Sequence, residues 1–258
     1  MSFRGKRCAF CEKDAVKHGG EHIWDDWLNR WLEVSKHNFK YSSISGTKRE
    51  YQRVELDEKL PVVCTPCNTG WMSHVTGSVK TLVQYLVRDG AEVSILPSGI
   101  ALLAAFTLMK ATVANHAIAE DCEPFFTRAD RDNLRRSLTV PASGLKMWIG
   151  AFQGKFLYSG KFVPAILSPN GPLEGVEYFT FTYVIGHLVL QLCASRWKNV
   201  LHRGFPPVTL RPNAYWDQAT IQFWPRDGFP VSWPPPKYLN DERMEEFVNR
   251  FKLPILLR

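Results

Sequence analysis

Apolar residues along this chain switch between two spacings, and the switches divide it into elements. Val75, Val79, Leu82, Val83 and Leu86 recur every three to four residues, which predicts a helix just after Met72. Trp24, Trp27, Leu28, Trp31 and Leu32 follow the same rhythm, with Asp25 and Asp26 where a helix N-terminus favours acids, so a tryptophan-packed amphipathic helix is expected from Trp24 onward. Ile100 to Ala119 is nearly unbroken apolar sequence and predicts a helix over 98–120. Because Lys110, Asn115 and His116 lie inside it and Pro97-Ser98 precedes it, it reads as a core helix and not a membrane span. Further helices are expected over 128–137 and 240–251.

Between these lie stretches of β character: 41–44 and 51–54 around a turn at Ser45-Gly46-Thr47, then the apolar approach Leu60-Pro61-Val62-Val63. Later come 146–152, 155–158, 178–185, 187–192 and 220–224, punctuated by Gly154, Gly160, Gly171, Gly175 and Gly186 as turns would be. The order predicts an α+β protein: a small N-terminal module over 1–90, a boundary near Gly90 to Pro97, and a larger α+β domain with an antiparallel sheet over 95–258. Trp233-Pro234-Pro235-Pro236-Lys237 reads as a rigid connector.

Composition narrows the class. With 45% apolar and 22% charged residues the chain is of the globular type, and disorder is excluded as its main state. A net charge of +7 and a pI near 9.1 favour an anionic partner, although the excess is spread along the chain. The basic residues Arg4, Lys6 and Arg7 are followed by no apolar run, so no secretory signal is read and a cytoplasmic location is expected.

The chemistry sits in two cysteine pairs, Cys8-Ala9-Phe10-Cys11 and Cys64-Thr65-Pro66-Cys67. Two thiolates separated by two residues can chelate one ion from a tight turn, so two such pairs supply a closed, structural Zn²⁺ site. In a reducing compartment that fits better than disulfides, and Cys122 and Cys193, without a second cysteine at chelating spacing, read as inert thiols. The pairs bracket Glu21-His22, which follows a flexible Gly19-Gly20, and the second runs into Asn68. His22 can serve as a general base near neutral pH. Glu21 and Asn68 offer a carboxylate and an amide oxygen to a hard divalent ion such as Mg²⁺. His18 and His74 are weaker candidates; His37, His116, His187 and His202 lack partners at ligand spacing and read as structural or solvated. Arg4, Lys6, Arg7, Lys13 and Lys17 could steer phosphate to the site or be merely solvated.

Taken together, Cys-x-x-Cys, Glu-His-Ile and Cys-x-x-Cys-Asn leading into a helix resemble the zinc-stapled HNH endonucleases of the ββα-metal fold. The strings Glu21-His22-Ile23-Trp24-Asp25-Asp26-Trp27-Leu28 and Cys67-Asn68-Thr69-Gly70-Trp71-Met72-Ser73 are similar to those of bacterial HNH-like proteins, over roughly residues 6–80. The resemblance implies a metal-dependent hydrolase of phosphodiester bonds in DNA. In it His22 is general base, Glu21 and Asn68 hold the catalytic divalent ion, and Cys8, Cys11, Cys64 and Cys67 hold structural zinc. It departs from the family at two places. Trp24-Asp25 stands where a proline often follows the histidine, and Lys59 stands where a middle asparagine commonly orients the base. Lys59 opens the alternative of a zinc-stabilised nucleic-acid-binding module with a degenerate nuclease site. No membrane partner is expected. A domain as large as 95–258 leaves room for target recognition or for regulation by a protein or small-molecule activator.

Overall fold

The structure is a computed structural model that describes residues 7–13, 15, 20–32, 37–42, 48–53, 59–88, 92–118, 124–166, 176–197 and 215–250. His18, Gly19, Arg4, Lys6, Lys17, Cys122 and His202 lie outside the described residues.

The chain folds as mixed helix and largely antiparallel sheet. Its N-terminal third contains β1 (Glu21–His22), α1 (Trp27–Trp31), β2 (His37–Ser42), β3 (Lys48–Arg53) and β4 (Lys59–Leu60). The short α2 (Thr65–Cys67) and a wide turn of π-helical geometry over Asn68–Met72 lead into α3 (Ser73–Val87). Next come β5 (Val93–Ile95), α4 (Pro97–Ile118), α5 (Arg128–Ser137), β6 (Leu145–Phe152), β7 (Phe156–Ile166), β8 (Val176–Ile185) and β9 (Leu188–Trp197). The chain closes with α6 (Trp216–Ala219), β10 (Thr220–Trp224), β11 (Val231–Trp233), β12 (Tyr238–Leu239) and α7 (Asp241–Asn249).

The main sheet runs β10-β6-β9-β8-β7-β2-β3, with β12 added beside β6. All its pairings are antiparallel except β2 with β7 and β12 with β6. Alternation along β8 sorts its two faces. Phe179, Phe181 and Tyr183 face the helical side, where Phe125 stacks on Phe179 and Phe106 meets Tyr183 edge-on. Thr182 faces the other side, where Gln191 Nε2 donates to its hydroxyl at 3.0 Å and to Phe247 O of α7 at 3.2 Å. Helices thus cover the sheet from both faces.

Helix α4 occupies the centre. Residues 103–114 are buried throughout. A helix apolar all round has no solvent face to keep, which is why it packs against α3 on one flank and the sheet on another. Thr107 and Thr112 are tolerated there because each donates its hydroxyl to the carbonyl four residues back, at 2.7 Å. By length and composition α4 could cross a membrane, and 72% of its most apolar window is buried inside the protein. Helix α5 begins with a capping box, Thr127 and Asp130 each accepting from the other's backbone amide.

The sequence places a boundary at 90–97. Around that point one buried apolar cluster runs from Cys8 and Phe10 through Val75, Val83 and Phe106 to Tyr183 and Trp233. The β2–β3 hairpin, which lies between His22 and Cys64 in sequence, joins the main sheet by parallel pairing of Asn38, Phe39 and Lys40 with Phe156, Leu157 and Tyr158. The insertion therefore belongs to the large sheet. Helix α1 is shorter than the tryptophan spacing predicts: it starts at Trp27, and Trp24 precedes it. Trp24 is buried against Tyr183, its indole N–H reaching Val184 O at 3.2 Å.

Candidate metal centre and the Glu21–His22 strand

Cys8 and Cys11 lie on one tight turn. Cys8 N donates to Lys13 O at 2.7 Å, Glu12 N donates to Cys8 O at 3.1 Å, and Glu12 takes a φ of 58° to reverse the chain. Cys64 caps α2 in an extended conformation, Pro66 pre-sets the first turn, and Cys67 N and Asn68 N both donate to Cys64 O. A single backbone bond, Ala9 N to Val62 O at 2.8 Å, brings the two turns together. The four sulfur atoms consequently lie within 4.8 Å of one another, with Cys11 Sγ and Cys64 Sγ 3.5 Å apart.

These four cysteines can hold a metal ion. Tetrahedral Zn–S bonds of about 2.3 Å imply sulfur separations of about 3.8 Å, so the donor set and its spacing suit zinc. Left as thiols they divide protons unequally. Cys8 is drawn down to about 4, first by the hydrogen bond from Cys67 and then by backbone amides, while Cys67 is pushed far up by that same bond and by burial. Burial is also the main cause that raises Cys64.

Helix α5 buttresses the knuckle. Arg131, itself buried, donates to Ala9 O at 2.6 Å and to Thr127 O at 3.3 Å, and lies 3.6 Å from Glu12. Phe10 meets Trp71 edge-on at 4.8 Å, which ties the first cysteine turn to the start of α3.

Strand β1 lies beside this centre, paired antiparallel with β4 so that Glu21 faces Leu60 and His22 faces Lys59 across the ladder. Gly20 precedes it at a point where a side chain has no room, since a Cβ would sit 2.9 Å from Leu60 O. Asn68 spans the gap from the second cysteine pair to the same point, its Nδ2 donating to Gly20 O at 2.8 Å. Alternation separates the two strand residues: Glu21 is buried alongside Leu60, whereas His22 is half-buried alongside exposed Lys59. Burial, and next the charge of Lys59, hold the His22 imidazole below its ordinary value, against the opposite pull of Glu21 and Asp26. These influences disfavour the charged imidazolium.

Glu21 meets Lys110 from the middle of α4. The ammonium donates to Glu21 Oε1 at 2.5 Å, to Asp25 Oδ1 at 2.9 Å and to His22 O at 2.8 Å. Burial works against the charge of Lys110, but Asp25 and Glu21 outweigh it and hold its pKa above the ordinary value. Two further polar atoms, Asp25 Oδ2 and the Tyr183 hydroxyl, are buried without a hydrogen-bond partner. The Tyr183 phenol is pushed up by burial and by the nearby charges of Asp25 and Glu21.

The structure thus brings Cys8, Cys11, Cys64 and Cys67 together, with Glu21 and His22 on the short strand beside them and Asn68 bonded to Gly20 at its start. Of the two donors expected at a catalytic divalent ion, the Glu21 carboxylate is engaged by Lys110, whereas the hydrogen bond from Asn68 to Gly20 O uses its amide nitrogen and not the oxygen that an ion would take. With the Lys110 ammonium on it, the Glu21 carboxylate does not fit a Mg²⁺-type ion in this arrangement. His74 lies exposed on α3, while Cys193 is fully buried in β9 with its thiol pushed up to about 12 by burial.

Lys110, Asp25 and Tyr183 are the participants that sequence reasoning missed. A signal was present for one of them. A lone lysine inside some twenty apolar residues of a buried helix requires a carboxylate partner, although nothing local says which. No protein-family model matches this chain, and neither a curated protein nor a solved structure matches it.

Proposed function

We propose that this chain is a zinc-stapled module of HNH type that acts on nucleic acid, hydrolysing phosphodiester bonds in DNA with His22 as general base. The observation that carries this reading is the convergence of four cysteine sulfurs within 4.8 Å next to the strand bearing His22, with Asn68 clamping the second cysteine pair to that strand. The order of strand, strand, cysteine turn and helix over β1, β4, α2 and α3 accords with a ββα arrangement. Zinc holds the turns in place and takes no part in the reaction. His22, neutral and half-buried, accepts a proton from the attacking water. Lys59, exposed and across the ladder from His22, would supply a positive charge to meet a phosphate oxygen.

The test is cleavage of plasmid DNA by the zinc-loaded full chain. A positioned base contributes roughly 100-fold to 10,000-fold in rate, so His22→Ala should lower cleavage by at least about 100-fold while leaving zinc content unchanged. Intact plasmid with the wild-type chain, or equal cleavage by His22→Ala, counts against it.

A second reading is favoured by two lysines. Lys59 stands opposite His22 where the family commonly has an asparagine, and Lys110 engages Glu21. Under this reading the module binds nucleic acid through a degenerate site. DNA binding would then survive His22→Ala and Glu21→Gln, fall with rising salt, and be accompanied by no strand breakage.

A further inference from the structure

A lysine ammonium has three N–H donors, and in Lys110 each has an oxygen acceptor: a Glu21 carboxylate oxygen, an Asp25 carboxylate oxygen and the His22 carbonyl. Three oxygens converging on one buried cationic point form the kind of hard, anionic donor set that a divalent ion otherwise recruits. We propose that Lys110 is a resident cation, its ammonium filling the ion position at Glu21, so that the wild-type chain binds no divalent ion there.

Three observations carry this. First, Lys110 has no alternative place to go. It lies mid-helix between buried Met109 and Ala111, its side chain is 3% exposed, and the cavity on its Glu21 side is lined by Ile23, Leu60, Val113 and Phe181. Swinging the ammonium aside to admit an ion would break its three hydrogen bonds and move it toward those apolar groups. Secondly, an ion on Glu21 would lie only a few ångströms from that ammonium, and like charges at about 4 Å repel strongly away from bulk water. Thirdly, the surroundings hold more oxygen than one ammonium uses. Asp25 Oδ2 and the Tyr183 hydroxyl are both over nine-tenths buried and without a hydrogen-bond partner, and the charges of Asp25 and Glu21 are felt at Tyr183. Without the lysine, two carboxylates and a carbonyl would converge on the vacated point. Hard divalent ions such as Mn²⁺ take ligand sets of that kind.

The consequence for chemistry is that any phosphodiester hydrolysis by this chain proceeds without an ion on Glu21. Glu21 is then a positioning residue: through Lys110 it ties β1, and with it His22, to the central helix. The question comes from the nuclease reading, but the answer is read from ion binding, so absence of cleavage does not decide it.

The experiment titrates the zinc-loaded full chain with Mn²⁺ and follows free Mn²⁺ by electron paramagnetic resonance, for wild type, Glu21→Gln, Lys110→Met and the Lys110→Met/Glu21→Gln double variant. Wild type and Glu21→Gln should leave the free signal equally unaffected. Lys110→Met should bind one Mn²⁺ per chain at least about ten-fold more tightly than wild type, and the double variant should lose that site. Should Lys110→Met be too unstable alone, Mn²⁺ should raise its melting temperature while leaving that of wild type unchanged. The proposal is overturned if wild type binds one Mn²⁺ that Glu21→Gln abolishes, or if folded Lys110→Met binds none. It is equally overturned if an unstable Lys110→Met gains nothing from Mn²⁺.

Discussion

Two polar centres flank the same short strand, and they resolve the same electrostatic problem by different means. The cysteine cluster gathers four potential anions and leaves their charge to be met by a metal ion. The Glu21–Asp25 cluster gathers two carboxylates and meets their charge with an ammonium from the protein itself. One centre can be completed from outside by a metal ion, the other is complete on folding. Their sequence footprints differ accordingly: the cysteine pairs are visible as spacing, whereas Lys110 lies 89 and 85 residues from its two carboxylates.

The strongest way to separate the two is to remove the cation of each. Cys64→Ser, or a strong chelator on the wild type, should strip the metal and unfold the cysteine turns, because metal binding and local folding are one event in such sites. Loss of α3 helicity by circular dichroism together with release of zinc would register it. Chelator should leave the Glu21–Lys110 contact without a direct target. Next in size, Lys110→Ala should cost about 3–5 kcal/mol in chemical denaturation, since it leaves two buried carboxylates without their partner. Its zinc content should stay at the wild-type level, which distinguishes it from Cys64→Ser.

Arg131→Ala weakens the buttress of the first cysteine turn. It removes a buried donor from Ala9 O and should cost about 1–3 kcal/mol, together with faster loss of zinc to a chelator. The smallest effect is expected for Asn68→Ala, which removes one partly buried hydrogen bond to Gly20 O and should cost about 1 kcal/mol. If Arg131→Ala and Asn68→Ala both leave stability and zinc retention at wild-type values, the strand and the cysteine turns are not coupled as their contacts suggest.

What could be read from sequence follows the range of the interaction that decides each element. Helix α5 and strand β10 fall on the predicted residues, because a capping box at Thr127 and a short β-branched run at Thr220 are local signals. Helix α3 is set by its valine and leucine spacing, and the cysteine cluster by pairs of ligands on single turns. The failures are long-range. Nothing within 37–53 says that this hairpin pairs with β7 more than a hundred residues later, so sequence alone groups it with the N-terminal module. The two aspartates before α1 look like helix-dipole partners, yet Asp25 turns to Lys110 and Asp26 makes no capping hydrogen bond from its side chain. Glu21 and His22 are adjacent and both suited to catalysis, but strand alternation sends one inward and leaves the other beside Lys59. The sheet edge and the buried ammonium also argue that a fragment ending near residue 90 would lose both the partner of β2 and the counter-charge of Glu21. Such a fragment should stay largely unfolded even with zinc.

With one cation expected from outside and one supplied from within, the most direct test is metal stoichiometry joined to ligand identity in the purified full chain. Elemental analysis with zinc-edge X-ray absorption should find one zinc per chain, bound by four sulfurs at about 2.3 Å, lost in Cys64→Ser and retained in Glu21→Gln. A second tightly held ion in the wild type, or zinc with oxygen ligands that disappears in Glu21→Gln, would contradict it.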